Sequence, residues 1–263
     1  MGRRGAKRPP NHSGFALVDK PTGCTSHDVV QRLRRVFGQR QVGHTGTLDP
    51  MATGLLVVAL GHATRLARFV EAREKAYRAT VELGVGTDTY DADGTVVARA
   101  PFTGGAADID RVLASLRGRI DQTVPPHSAV KVQGERLYAK ARRQEAVELP
   151  TRQVMIHRLE RTALDGTRLE LETEVSKGTY VRSLAVQIGQ GLGVPAHLTA
   201  LRRTSVGGLR VDAARPLAGF EGHPSEVLPP AAGLAGLPVV TLDAAGTRAV
   251  GFGQPLRPEA LAA

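Results

Sequence analysis

The sequence predicts an α+β, or mixed α/β, domain. Apolar residues recur at helical spacing in some segments and alternate with polar residues in others. In Leu169–Val175, acidic and apolar residues alternate, which is typical of a sheet with one solvated face. The chain of 263 residues is long enough to bury a substantial core, and its single cysteine excludes an intrachain disulfide.

The first elements follow from short patterns. Phe15–Val18 reads as a strand, and Ser26 is a suitable N-cap for a helix that ends near Gly38. A polar, glycine-rich loop, Gly43–Gly54, leads directly into the apolar run Leu55–Leu60. Loops anchored on buried strands often carry chemistry, so we treat this loop as a candidate site.

The later elements are assigned by the same periodicities. We predict a helix from about His62 to Ala72, a strand over Tyr77–Leu83, an acidic loop over Thr87–Gly94 and a helix over Ile109–Leu116. We also predict strands over Val154–Leu159 and Leu169–Val175 and a basic amphipathic piece over Leu137–Arg143. The segment Ser176–Arg182 is expected to open a helix that runs through Leu192. A short helix over Leu198–Arg203 and one more strand over Val239–Leu242 complete the assignment.

Composition changes suggest the domain organisation. Residues 1–13 are basic and contain no acid, so we expect a disordered arm. The main domain then covers 14–215, with a long excursion at 121–152. From Pro216 the sequence becomes rich in Pro, Gly and Ala, which indicates a linker over 216–236 before a short terminal segment, 237–263.

Charge is the first indication of function. The formal net charge is +10, which favours a polyanionic partner such as nucleic acid. Aromatic residues are only 4% and tryptophan is absent, so serial stacking on a single strand is disfavoured and folded RNA or a duplex is expected. The sequence shows neither a transmembrane stretch nor a secretory signal, and we expect a cytoplasmic protein.

Two residues are candidates for the chemistry. Asp49 lies between glycines and before Pro50, where a carboxylate can act as a nucleophile or a general base. An Asp-Pro turn is the alternative explanation. Arg182, in a second glycine-containing turn, can keep such a carboxylate ionised and oriented.

Three more residues could contact a base. Tyr77 and Tyr180 can each stack on a base removed from an RNA helix, although core packing explains either equally well. His44 can fill the space of a flipped base or bind phosphate. The histidines have no metal-ligand spacing, and nucleotide-cofactor motifs are absent. The residues alone therefore indicate a protein that acts on RNA, with Asp49 as its candidate catalytic group.

The Gly43–Gly54 segment resembles the signature of the TruB family of tRNA pseudouridine synthases. Other segments resemble further motifs of the family and occur in the same order. They are Asp19–Ser26, Lys75–Arg78, Thr87–Gly94, Ser128–Lys131 with Gly134–Tyr138, Ser176–Arg182 and Leu201–Thr204. The resemblance covers about residues 14–210. It implies a mainly antiparallel central sheet flanked by helices, with the active cleft across it.

The resemblance also implies a reaction and its residues. The expected reaction converts uridine 55 in the T-loop of tRNA to pseudouridine, without metal or cofactor, and we expect a monomer. The implied roles are Asp49 as the catalytic aspartate, Arg182 as its ion-pair partner, Tyr77 as the stacking residue, Tyr180 and Leu201 as pocket walls, and His44, Asp91 and Lys20 as substrate contacts. The excursion at 121–152 resembles an RNA-gripping insertion, and 237–263 resembles the beginning of a PUA domain.

Three alternatives remain open at this point. A non-catalytic protein could use the same grip to bind or fold tRNA, although such a protein does not need Asp49. A relative that takes its target from a guide RNA is disfavoured by the insertion. A nucleoside hydrolase is more distant, since it would release free uracil.

Overall fold

The structure, a computed structural model, describes residues 11–128, 130–132, 134–143, 145 and 147–256. Most of the predicted basic arm, residues 1–10, and the last residues, 257–263, lie outside this set. The chain divides into two compact units between Gly233 and Leu234. This division falls inside the stretch 216–236, and the functional assignment of each domain stays a prediction.

The described residues form strands joined by helices and short 3-10 turns. The strands are β1 (Gly14–Lys20), β2 (Val42–His44), β3 (Thr53–Leu60), β4 (Lys75–Leu83), β5 (Val85–Thr87), β6 (Val96–Arg99), β7 (Gly118–Thr123), β8 (Lys131–Val132), β9 (Glu135–Arg136), β10 (Thr151–Asp165), β11 (Arg168–Val175), β12 (Ala196–Val206), β13 (Leu209–Arg210) and β14 (Arg215–Pro216). The helices are α1 (Ser26–Val36), α2 (Ala67–Glu71), α3 (Ala106–Ser115), α4 (Leu137–Arg142), α5 (Val181–Gly191) and α6 (Ala244–Gly251). The 3-10 turns are Gly61–Arg65, Val211–Ala213, Leu217–Gly219, Pro224–Glu226 and Pro230–Leu234.

One ten-stranded sheet organises the first unit. Its order is β14-β1-β3-β12-β4-β11-β10-β7, with β2 paired to β3 and β13 to β12. Strand β12 is parallel to β3 and antiparallel to β4, so it joins the two halves of the sheet. Most of the other pairs are antiparallel. The predicted mixed fold with a mainly antiparallel central sheet is confirmed.

The core lies on both faces of this sheet. The larger apolar cluster lies under α1, α3 and α5, and a smaller one lies under Gly61–Arg65 and α2. Strand β3 contributes to both, because successive side chains point to opposite faces. Leu56 and Val58 face the larger cluster, whereas Leu55 and Val57 face the smaller one. This double burial explains the uninterrupted apolar run.

The N-cap of α1 is Thr25, so the prediction that Ser26 caps it is wrong. The Thr25 hydroxyl accepts a hydrogen bond from the Asp28 N–H at 3.1 Å, and the Asp28 carboxylate accepts one from the Thr25 N–H at 2.9 Å. Ser26 begins the helix instead. Its hydroxyl donates to the Leu48 carbonyl at 3.0 Å and accepts from the Leu48 N–H at 2.8 Å, which fixes the glycine-rich loop to the helix.

The helix predicted over Leu198–Arg203 is also wrong, because these residues lie in β12. Leu198 and Leu201 are both buried, and this three-residue spacing resembles a helical face. An irregular register between Leu198 and Ala200 shifts the alternation by one residue. The bulge thus places both leucines on the buried side of a strand.

Two further boundaries differ from the predictions. Residues 121–123 belong to β7 and residues 151–152 to β10, so the excursion that leaves the central sheet is 124–150. In the second unit, the described residues 239–241 are in neither helix nor strand and Leu242 forms only a single β-bridge, so the strand predicted over Val239–Leu242 is not formed. Instead α6 follows, capped by the Asp243 carboxylate, which accepts from the Gly246 N–H at 2.6 Å.

A buried arginine of β12 holds the glycine-rich loop against the sheet. Arg203 is 2% exposed. Its guanidinium donates to the carbonyls of Leu55 at 2.7 Å, Thr47 at 3.3 Å and Gly46 at 3.1 Å. Two of these carbonyls belong to the glycine-rich loop and one to β3, and one buried side chain provides the donor for all three.

We predict that Arg203→Met destabilises the protein by at least about 3 kcal/mol, because each orphaned buried acceptor costs about 1–3 kcal/mol. Urea denaturation measures the change. The matched control is Arg210→Met, since the Arg210 side chain is 68% exposed and its loss should change the free energy of unfolding by less than about 0.5 kcal/mol. Equal unfolding midpoints for the two variants would contradict the role of Arg203.

Candidate active site

A cleft of about 550 Å³ opens beside the glycine-rich loop. Segments far apart in the sequence form its walls: the loop between β2 and β3, strands β4 and β12, the start of α5, and the excursion at 124–150. The lining residues are Thr25, Ser26, His27, His44, Thr47, Leu48, Asp49, Pro50, Tyr77, His127, Ser128, Tyr138, Thr179, Tyr180, Val181, Arg182 and Leu201.

An Asp–Arg ion pair lies in this cleft. Arg182 Nη2 donates to Asp49 Oδ1 at 3.1 Å, and Arg182 Nε lies 3.0 Å from Asp49 Oδ2. The Arg182 side chain is 4% exposed, whereas that of Asp49 is 31% exposed. The guanidinium therefore supports the carboxylate from the protein side and leaves it accessible from the cleft.

Arg182 also binds two other segments. Its Nη1 donates to the Thr89 carbonyl at 3.1 Å and lies 3.3 Å from Asp91 Oδ2. Its Nη2 donates to the His127 carbonyl at 3.0 Å. One buried guanidinium thus connects the Asp49 loop, the loop after β5 and the excursion at 124–150.

The environment of Asp49 makes its carboxylate a stronger base than an exposed one. Burial raises the pKa of Asp49, and the nearby negative charge of Asp91 raises it further. The Arg182 charge and hydrogen bond act in the opposite direction and favour the ionised form of Asp49. Such opposed influences are frequent at catalytic carboxylates.

Lys20 is not among the residues that line the cleft, and the contact expected between Lys20 and substrate stays a prediction. It is fully buried, and its ammonium group donates to the carbonyls of Pro21 at 2.9 Å, Cys24 at 2.7 Å and Pro50 at 3.2 Å. Burial lowers the pKa of Lys20. Lys20 therefore supports the loop next to Asp49 from the side away from the cleft, because its ammonium group donates its hydrogen bonds to backbone carbonyls.

Asp91 also lies behind the cleft. Its side chain is 7% exposed and pairs with Arg182. Its Oδ1 accepts from the Thr89 hydroxyl at 2.5 Å and from the Asp93 N–H at 3.2 Å. A carboxylate paired on this many sides fixes the Arg182 guanidinium, and the contact expected between Asp91 and substrate stays a prediction.

Tyr77, Leu201 and Tyr180 all line the cleft. Tyr77 and Leu201 lie on neighbouring strands and are 7% and 8% exposed. Tyr180 precedes α5, and its N–H donates to the Gln122 side-chain oxygen at 2.7 Å. The Arg152 guanidinium lies 5.4 Å from the Tyr180 ring centroid. Their contacts with a nucleotide stay predictions.

His44 lies at the end of β2 and lines the same cleft. Burial and the charge of Arg203 lower the pKa of His44, so its imidazole is neutral near pH 7. Its Nδ1 is buried without a hydrogen-bond partner among the described residues. The contact expected between His44 and substrate stays a prediction.

Sequence reasoning missed the residues that position the site. Arg203 lies inside a motif, but nothing in its neighbourhood indicated that it reaches back to the glycine-rich loop. Gln122 carries no sequence signal at all. In the described part of the chain, no three His, Cys, Asp or Glu side chains are grouped as a metal site requires, and no helix is long and apolar enough to cross a membrane.

Comparisons with known proteins identify the family of the chain. The sequence model described as "TruB family pseudouridylate synthase (N terminal domain)" matches residues 34–181. A tRNA pseudouridine synthase B from Mycobacterium sp. (strain KMS) is 49% identical over 216 residues, which cover 80% of this chain and 73% of that protein. Another tRNA pseudouridine synthase B, from Thermobifida fusca (strain YX), is 45% identical over 259 residues, which cover 93% of this chain and 87% of that protein.

Solved structures show the same likeness. A Cbf5–Nop10–Gar1 complex contains a chain with a TM-score of 0.77 and 27% identity, over 97% of this chain and 73% of that one. A chain in the structure of an H/ACA RNP bound to a substrate RNA has a TM-score of 0.72 and 25% sequence identity, over 98% of this chain and 77% of that one. With more than half of its sequence matched by the family and close relatives covering most of its length, the chain belongs to the TruB family of pseudouridylate synthases.

Proposed function

We propose that this chain is a tRNA pseudouridine synthase and that its target is uridine 55 in the T-loop. The observation that carries the proposal is the Asp49–Arg182 ion pair, which is open to a cleft on one side only. The relatives named tRNA pseudouridine synthase B support tRNA as the substrate. The net charge of +10 supports a polyanion as the partner.

The proposed reaction is an isomerisation. The bond between N1 of uracil and C1′ of ribose breaks, the base turns over and C5 joins C1′; the proton on C5 is then lost and N1 gains a proton. Atoms balance without a redox step, so the reaction needs no cofactor. The ionised Asp49 carboxylate can attack C1′ or remove a ribose proton, and in either route it stabilises positive charge that develops on the sugar.

The uracil must leave the RNA stack to reach Asp49, because the target base lies inside a folded loop. Tyr77 is proposed to stack on the flipped base and to assist the proton step at C5. Such stacking is worth about 1–3 kcal/mol per base, which is comparable to the cost of unstacking. Leu201 and Tyr180 would form the remaining walls, and His44 would contact the opened loop.

A non-catalytic tRNA-binding protein is the second candidate function, which the net charge of +10 also fits. A binder of this kind does not need a partly buried carboxylate whose pKa is raised by burial and lowered by a neighbouring arginine. The third candidate is the alternative from the sequence analysis in which a guide RNA selects the target. Turnover of bare tRNA by the chain alone, as a monomer, would separate our proposal from both.

The first test is pseudouridine mapping on an unmodified tRNA transcript with the wild type and Asp49→Asn. We expect pseudouridine at the T-loop uridine with the wild type only, because the amide cannot replace the carboxylate. Affinity for tRNA should change by less than about tenfold, since phosphate contacts dominate binding. Asp212→Asn, at an exposed position, is the control and should retain full turnover. Full turnover by Asp49→Asn would refute the assignment.

The second test concerns the pH profile. Arg182→Lys should lower kcat by at least about a hundredfold and move the acid limb of the profile to higher pH. A single ammonium group cannot pair with Asp49 and Asp91 together, so the pKa of Asp49 rises when the guanidinium is lost. Arg168→Lys, an exposed ion-pair residue, should leave the profile unchanged. An unshifted acid limb in Arg182→Lys would exclude this electrostatic role.

The third test concerns the electrostatic share of binding. Raising the salt concentration from about 50 to about 200 mM should weaken tRNA binding by at least about a hundredfold, because counterions compete for the phosphates. Fluorescence anisotropy with a labelled tRNA measures the dissociation constant. A flat dependence on salt would remove the argument from net charge.

A further inference from the structure

The cleft contains polar groups that the proposed reaction has not yet used. Among the described residues, the two buried side-chain hydroxyls without a hydrogen-bond partner belong to Ser128 and Thr179, and both line this cleft. Ser128 is 5% exposed. Elsewhere, buried hydroxyls such as that of Ser26 are fully engaged with backbone groups. Unused hydrogen-bonding capacity is therefore found where a ligand would enter.

The backbone around Ser128 is fixed next to Asp49. Arg182 Nη2 donates to both the His127 carbonyl and Asp49 Oδ1, so these two acceptors lie within about 6 Å of each other. The Ser128 carbonyl accepts from the Tyr138 N–H at 3.0 Å. Hydrogen bonds thus hold Ser128 on both sides and keep it beside the catalytic carboxylate.

The hydroxyl of Ser128 does not help the free protein to fold. A buried hydroxyl that has left water without a new partner is unfavourable, and alanine would fit the same backbone without that penalty. A group of this kind at a cleft is expected to gain its partner from the ligand. The position of Ser128 then indicates which part of the ligand it meets.

We propose, on the basis of the tRNA pseudouridine synthase function above, that Ser128 hydrogen-bonds the 2′-hydroxyl of the flipped nucleotide and so selects ribose. Asp49 must face C1′ to attack it, or the hydrogen on the neighbouring C2′ to remove a ribose proton, and the 2′-hydroxyl is attached to C2′. A serine hydroxyl can donate to or accept from it. The 2′-hydroxyl is the group by which a protein distinguishes RNA from DNA at one nucleotide.

Binding of two T-arm stem-loops tests this contact. One carries uridine and the other 2′-deoxyuridine at the target position, and all proteins carry Asp49→Asn so that the RNA is not consumed. We expect the parent to bind the deoxy stem-loop about fivefold more weakly, as for one neutral hydrogen bond. Adding Ser128→Ala should make the two affinities equal. Ser115→Ala is the control, because its exposed hydroxyl already donates to the Val112 carbonyl, and it should keep the fivefold difference.

Stability and turnover provide a second readout. Ser128→Ala in the otherwise wild-type chain should keep or raise the Tm, while kcat/KM on the uridine stem-loop falls at least about fivefold. A lower Tm with equal losses for both stem-loops would indicate a structural role and overturn the proposal. Unchanged discrimination in Ser128→Ala, or no discrimination in the parent, would overturn it too. If the wild type makes no pseudouridine in the tRNA transcript, the proposed function fails first, and this outcome is distinguishable.

Discussion

A single buried guanidinium is the constraint on which the site depends. Once Arg182 is removed from water, its nitrogens require acceptors, and those acceptors come from three segments of the chain. Asp49 provides a carboxylate, and the Thr89 and His127 carbonyls complete the set with Asp91. The position of each segment is therefore linked to that of the other two. Displacing any one of them would leave charge unpaired in the interior, which is costly.

Buried cations also organise the loop that carries Asp49. This loop is irregular, so its carbonyls have no strand partners, and donors must come from side chains. Arg203 approaches from β12 and Lys20 from β1, and each donates to several carbonyls. Arrangements of this type hold a catalytic group more firmly than a flexible loop could by itself, which matters when a small displacement lowers the rate strongly.

Among the described residues, buried hydroxyl groups without a hydrogen-bond partner are found only in the cleft. Buried hydroxyls of Ser128 and Thr179 and the Nδ1 atom of His44 lack partners there. Polar groups kept unsatisfied in the free protein reduce stability, and natural sites commonly retain such groups because ligand binding uses them. Together with the raised pKa of Asp49, they leave the cleft with hydrogen-bonding groups that a ligand could use.

The sequence by itself determined the strands and helices with regular periodicity, the net positive charge and the motif around Asp49, because these properties are local or additive. It could not reveal that Leu198–Arg203 is a strand, because a bulge set by β4 imitates helical spacing. Nor could it separate Lys20 and Asp91, which lie behind the cleft, from Tyr77, which lines it. The Arg182–Asp49 and Arg203–Leu55 contacts join residues more than a hundred positions apart, so only the tertiary structure decided which polar residues support the Asp49 loop and which line the cleft.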